Sequence, residues 1–150
     1  MNVNRRLASL MIWWCEGTKT RKDKRWKNSY NSPIEVTNTN PKIIKIFIDF
    51  LRKDLLIPEK SLRGQIQIHD GDDKTKIEEF WSKVSGIPLV QFNKTIIRKR
   101  GNKIGKNYGT FKVRMYDKIV FKKIEELLQK ELKQLLPGNS SVGRARRLGR

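Results

Sequence analysis

One carboxylate in this chain sits where chemistry is plausible. Glu16 ends the apolar stretch Leu10-Met11-Ile12-Trp13-Trp14-Cys15 and directly precedes Gly17. At a helix C-terminus a carboxylate faces the negative end of the helix dipole, which disfavours it by ~0.3–1 kcal/mol, and a bound cation removes that penalty. The chain around it carries 34 Lys+Arg against 15 Asp+Glu, a net charge of +19. A lone acid in a cationic setting can hold Mg²⁺ against a phosphodiester while lysines and arginines grip the phosphates. The plain alternative is a helix-end carboxylate that only meets water.

The other residues of interest are basic or amide side chains. Residues 93–114 hold eight basic side chains and no acid, and 19–27 hold six against Asp23 alone. Lys94, Arg98, Lys112 and Arg114 are expected as phosphate contacts or transition-state cations, with Lys19, Arg21, Lys22 and Arg100 adding to the nucleic-acid footprint. Arg63, Gln65 and Gln67 are expected to read bases, because Arg suits guanine and Gln suits adenine by bidentate geometry. His69 with Asp70, Asp72 and Asp73 could form a second metal cluster, but a turn capping the next helix accounts for them more simply. A single His and no nucleophile motif exclude a catalytic triad. Gly101, Gly105 and Gly109 lack the strand-loop-helix context of a phosphate loop.

The elements that must position these residues follow from periodicity. Residues 4–16 read as a helix with Leu7, Leu10, Met11 and Trp14 inward and Gly17 as the residue that ends it. Residues 18–33 suggest a strand and a loose turn, and 34–38 alternate as a strand. Asn40 and Pro41 open a helix whose stripe is Ile43, Ile44, Phe47, Phe50 and Leu51. Residues 63–69 alternate again. Asp72 is expected to cap a helix over 73–85 carrying Ile77, Phe80, Trp81 and Val84. Residues 94–100 and 108–116 resemble a β-hairpin with a long loop. Asp117 opens a last helix with Val120, Ile124, Leu127, Leu128 and Leu135 inward. Along the strands one face is apolar, while the other shows Glu35 and Thr37, then Arg63, Gln65, Gln67 and His69, then Tyr108, Thr110, Lys112, Arg114 and Tyr116. A wet sheet face is ordinary in itself; a cationic, Gln-rich one points to groove contacts.

Composition bounds the rest. At 150 residues the chain suits one domain over 1–136, with 137–150 a disordered basic tail. Cys15 is the only cysteine, which excludes an internal disulfide framework and a cysteine zinc cluster. No apolar run reaches a membrane span and no signal pattern opens the chain, so a cytoplasmic protein is expected, nucleoid-associated if prokaryotic, without membrane or small-molecule cofactor.

With Trp14-Cys15-Glu16-Gly17, the helix after Val36-Thr37-Asn38, and Phe111-Lys112-Val113-Arg114-Met115 leading into Asp117, the chain resembles a LAGLIDADG-type homing endonuclease domain over roughly residues 5–135. Met11 stands where the family motif has its first glycine, Trp14 stands at an earlier acid position, and the helix at 73–85 is additional. The resemblance implies an α+β fold in which an antiparallel sheet carries helices on one face and curves to read the major groove. It implies Glu16 as ligand of Mg²⁺ or another divalent cation, with Lys94 and Arg98 completing a catalytic set near the scissile phosphate. With one motif per chain, two metal sites require a homodimer on a near-palindromic duplex. The expected activity is metal-dependent cleavage of double-stranded DNA. The alternatives are a noncatalytic DNA-binding regulator on the same scaffold and an RNA-binding module.

Overall fold

Asn2 starts the first helix by accepting the backbone N–H of Arg5 on its side chain. The computed structural model describes residues 2–17, 33–99 and 108–136, and the backbone pairing of 21–22 with 30–31. Helix α1 is Val3–Glu16, strands β1 and β2 are Arg21–Lys22 and Tyr30–Asn31, and β3 is Pro33–Asn38. Helix α2 is Pro41–Asp49, capped by Asn40 with Pro41 at its first turn, and it runs on into a π-helical turn over Phe50–Asp54. Strand β4 is Arg63–His69, α3 is Lys74–Ser85, β5 is Ile96–Arg98, β6 is Thr110–Tyr116 and α4 is Lys118–Leu135. The chain is thus α+β, as its sequence implies.

Four strands form one sheet in the order β3-β6-β4-β5. The sheet is mixed, which corrects the expectation of an antiparallel one. β6 pairs antiparallel with both β3 and β4, but β5 runs parallel to β4. The reason is α3. A helix between two strands carries the chain back over the sheet, so the second strand follows the first in direction. The expected hairpin between 94–100 and 108–116 is therefore absent, because β4 fills the place between β5 and β6.

One face of the sheet is dry. Ile34 and Val36, Ile66 and Ile68, and Phe111, Val113 and Met115 are buried together with Leu10, Trp13, Phe47, Phe121 and Leu128 from the helices. Trp81 of α3 stacks on Phe111 with ring centroids 4.9 Å apart and donates its indole N–H to the Tyr108 carbonyl at 2.6 Å. Trp13 meets Phe121 edge-on at 5.4 Å. Gly64 is required on this face, since a Cβ there would stand 2.7 Å from the Phe111 ring.

Several side-chain expectations need correction. Trp13, not Trp14, is the core tryptophan of α1; Trp14 is 48% exposed. The helix is apolar on most sides, and its rotation is set by packing on β3 and α4. Leu135 is exposed and Phe121 is buried in its stead. Asp73, not Asp72, caps α3, while Asp72 accepts the His69 backbone N–H at 2.9 Å. These acids form a turn and a cap, and no group of three or more metal-ligating side chains occurs among the described residues. Likewise, no helix among them is long and apolar enough to cross a membrane. The proposed tail 137–150 lies outside the described residues.

The N-terminus of α1 is tied down by one acid. Asp54, at the end of the π-helical turn, accepts from Arg5 Nε at 2.7 Å, from Arg5 Nη2 at 2.8 Å and from the Asn2 backbone N–H at 3.2 Å. The Arg5 hydrogen bonds hold the Asp54 carboxyl below its usual range, against an opposing contribution from burial. A depressed folded-state value stabilises the protein above the ordinary carboxylate range, and that stability is lost as pH falls through the lowered value. Asp54→Asn is expected to melt a few degrees below wild type at pH 7, with the gap closing as the pH is taken below about 4, read by thermal melts across a pH series.

Candidate nucleic-acid interface

The wet face of the sheet is built by the same alternation that buries the dry one. Strand register sets its rows. Glu35, Arg114 and Arg63 lie side by side across β3, β6 and β4, and the next row is Thr37, Lys112 and Gln65. Beyond it come Thr110, Gln67 and Ile96, then His69 beside Arg98. At ~4.8 Å per strand the four strands span about 14 Å, comparable to the ~12 Å width of the major groove of B-DNA.

Of the residues expected to bind nucleic acid, this face gathers Arg63, Gln65, Gln67, Arg98, Lys112 and Arg114. Their local partners differ. Gln65 donates its side-chain amide to the Lys94 carbonyl at 2.9 Å, which joins the start of β5 to β4. Arg63 turns back on its own chain, with Nη1 donating to the carbonyls of Lys60 at 2.6 Å and Leu62 at 2.9 Å. Arg114 Nε donates to Glu35 Oε2 at 2.6 Å, and its guanidinium carbon stands 5.9 Å from the centre of the Tyr116 ring. Lys94 and Arg98 are exposed on the β5 side. Lys19 and Arg100 lie outside the described residues, as do the side chains of Arg21 and Lys22. Glu35 escaped the sequence reading as a functional residue. Its position on an alternating strand was legible; its partner, 79 residues away, was not.

Glu16 comes to the opposite edge. Gly17 forms an antiparallel bridge with Val36, which itself pairs with Val113. Glu16, which is exposed, is therefore one residue from the bridge, at the β3 edge of the sheet. It makes no hydrogen bond or ion pair with another described residue. Gly17 is extended, with φ −82° and ψ 155°, so the expected left-handed helix end is not what calls for glycine. Close approach does: an added Cβ would collide with the Trp13 carbonyl oxygen and sit 2.6 Å from its indole ring.

This geometry separates the expected catalytic set. Glu16 is beside β3, whereas Lys94 and Arg98 belong to the β5 edge, with β6 and β4 between them. Linear order does not give strand order, so this separation is not legible in the sequence.

Neither a family model, nor a curated protein, nor a solved structure matches this chain.

Gly17→Ala is expected to lower stability by about 1–3 kcal/mol, the usual cost of forcing a methyl group into a packed site. A urea melt with an unchanged midpoint would contradict the close contact with Trp13.

Proposed function

We propose that the chain binds double-stranded DNA site-specifically through the wet sheet face and, as a homodimer, cuts it in the manner of LAGLIDADG homing endonucleases. The observation that carries this reading is that Glu16 is exposed and stands one residue from the bridge that joins α1 to the β3 edge of the sheet bearing the cationic face. In this reading the Gln and Arg side chains of β4 and β6 meet base edges, and Lys94 and Arg98 grip one phosphate strand from the β5 edge.

The donor set suits a divalent ion only in part. Mg²⁺ commonly takes one or two carboxylates and fills its remaining positions with water and substrate phosphate. Glu16 supplies one carboxylate, and Glu16 of a second copy supplies another where two copies meet. When bound, the ion would act as a Lewis acid on a phosphate oxygen. Glu16 would hold such an ion, and Lys112 on the wet face would offset phosphate charge.

Support for pairing comes from the outer side of α1, where Val3 is 62% exposed, Trp14 is 48% exposed, and Leu7, Ala8 and Met11 are only half-buried. A partly exposed apolar stripe on a helix is a candidate interface. Two copies related by a two-fold axis along this face would bring their Glu16 side chains together. A noncatalytic regulator is the second reading. It is favoured by the absence, among the described residues, of any larger acidic cluster around Glu16.

Plasmid cleavage with Mg²⁺ separates the two. Wild type is expected to cut. Glu16→Gln is expected to lose at least about 10²-fold in rate while binding duplex as tightly, the pattern of a group used for the chemical step alone. Duplex binding without cleavage by wild type would favour the regulator, and preference for structured RNA over duplex would reject both. Light scattering should find a dimer on duplex DNA, reduced to monomer by Trp14→Glu; a wild-type monomer bound to duplex would remove the two-fold arrangement.

A further inference from the structure

Glu35 is an odd residue for a surface that meets a polyanion. It is the only acid among the described strand residues of the wet face, and it is 8% exposed. A carboxylate there repels phosphate, so its presence needs a reason within the face. That reason is Arg114. Its Nε is held by Glu35 Oε2 at 2.6 Å, and no other acceptor among the described residues takes Nη1 or Nη2. With Nε occupied, the guanidinium plane is fixed and its terminal edge, Nη1 with Nη2, is left to a ligand. That edge fits the O6 and N7 atoms of guanine as two parallel hydrogen bonds.

The neighbours reinforce the aim. Register pairs Arg63 directly with Arg114, and like charges so placed repel. Arg63 is drawn back onto the carbonyls of Lys60 and Leu62, while the Tyr116 ring lies along the strand beside Arg114. β6 is an inner strand of the sheet. A sheet laid in a groove presents its inner strands to bases and its edges to the two phosphate rails. An arginine that only gripped phosphate would need no fixed plane, and would sit at an edge.

We infer that Arg114 is a specificity-determining residue that reads guanine in the major groove, and that Glu35 is the positioning residue that aims it. The inference rests on the duplex-binding reading above and assigns it one base. It also reverses the sequence expectation, in which Arg63 reads a base and Arg114 meets phosphate.

The test is selection of bound duplexes from a randomised pool by the full chain, with affinities measured on the selected site and on single-base changes. Wild type is expected to prefer guanine at one position of the site by about tenfold or more, the scale of a bidentate arginine–guanine pair. Arg114→Lys should abolish that preference and leave the other positions unchanged. Glu35→Gln should reduce it to about threefold or less, again at that position only. Glu35→Asp, which retains a carboxylate, should fall between Gln and wild type and serves if Glu35→Gln does not fold. A merely structural ion pair would lower the melting temperature of these variants without altering base preference, and that result overturns the inference. So does an equal loss on every sequence, which marks a phosphate contact. Failure of wild type to bind duplex at all would overturn the binding reading as well, and that is measured separately from base preference.

Discussion

The close contact between Gly17 and Trp13 is the constraint on which the arrangement depends. The Gly17 N–H donates to the Trp13 carbonyl at 2.7 Å, closing the last turn of α1, and the same glycine bridges Val36 at the sheet edge. At the sheet edge the backbones of helix and strand therefore meet at a residue with no side chain. Trp13 anchors one side of that junction by its contact with Phe121, and Val36 anchors the other from within the core. Glu16 has little freedom to drift from the sheet, because the residues before and after it are both committed.

Charge is distributed in keeping with this division. On the helix side, acids neutralise bases: Arg5 with Asp54, Arg6 with Glu131, Lys45 with Asp49, and Arg52 with Glu59. On the wet face, Glu35 is the one acid among the strand residues described, and Lys112 and Arg98 make no ion pair with a described residue. A chain of net charge +19 carries a self-repulsion that pairing on one side relieves only in part. Among the described strand residues the wet face keeps a cationic excess, with Arg63, Arg98, Lys112 and Arg114 against Glu35.

What could be read in the sequence was what is local. The period-two alternation of 63–69 and 108–116 separated Gln65, Gln67, Lys112 and Arg114 from Ile66, Ile68, Phe111 and Val113, and the structure retains that separation. Asn40 with Pro41, and the helix following His69, were similarly visible, since caps and helical stripes need only a few neighbouring residues. Strand order was not visible. Alternation is the same for an edge strand and an inner one, so nothing in 96–98 or 110–116 tells that β4 lies between them. The separation of Glu16 from Lys94 and Arg98, and the meeting of Glu35 with Arg114, both follow from strand order. The choice between Trp13 and Trp14 was hidden for another reason: adjacent apolar residues on a helix that is apolar on most sides leave its rotation open until β3 and α4 are in place.

The strict division of the sheet into two faces has an evolutionary consequence. Substitutions at Gln67, Thr110 or Lys112 alter the wet surface rather than the packed layer on the other side of the sheet. On the proposed duplex-binding reading, descendants of this chain can thus drift toward new targets in small steps. Glu35 and Arg114 are the exception: two strands must change in concert there, which makes that position the slowest part of the recognition surface to diversify.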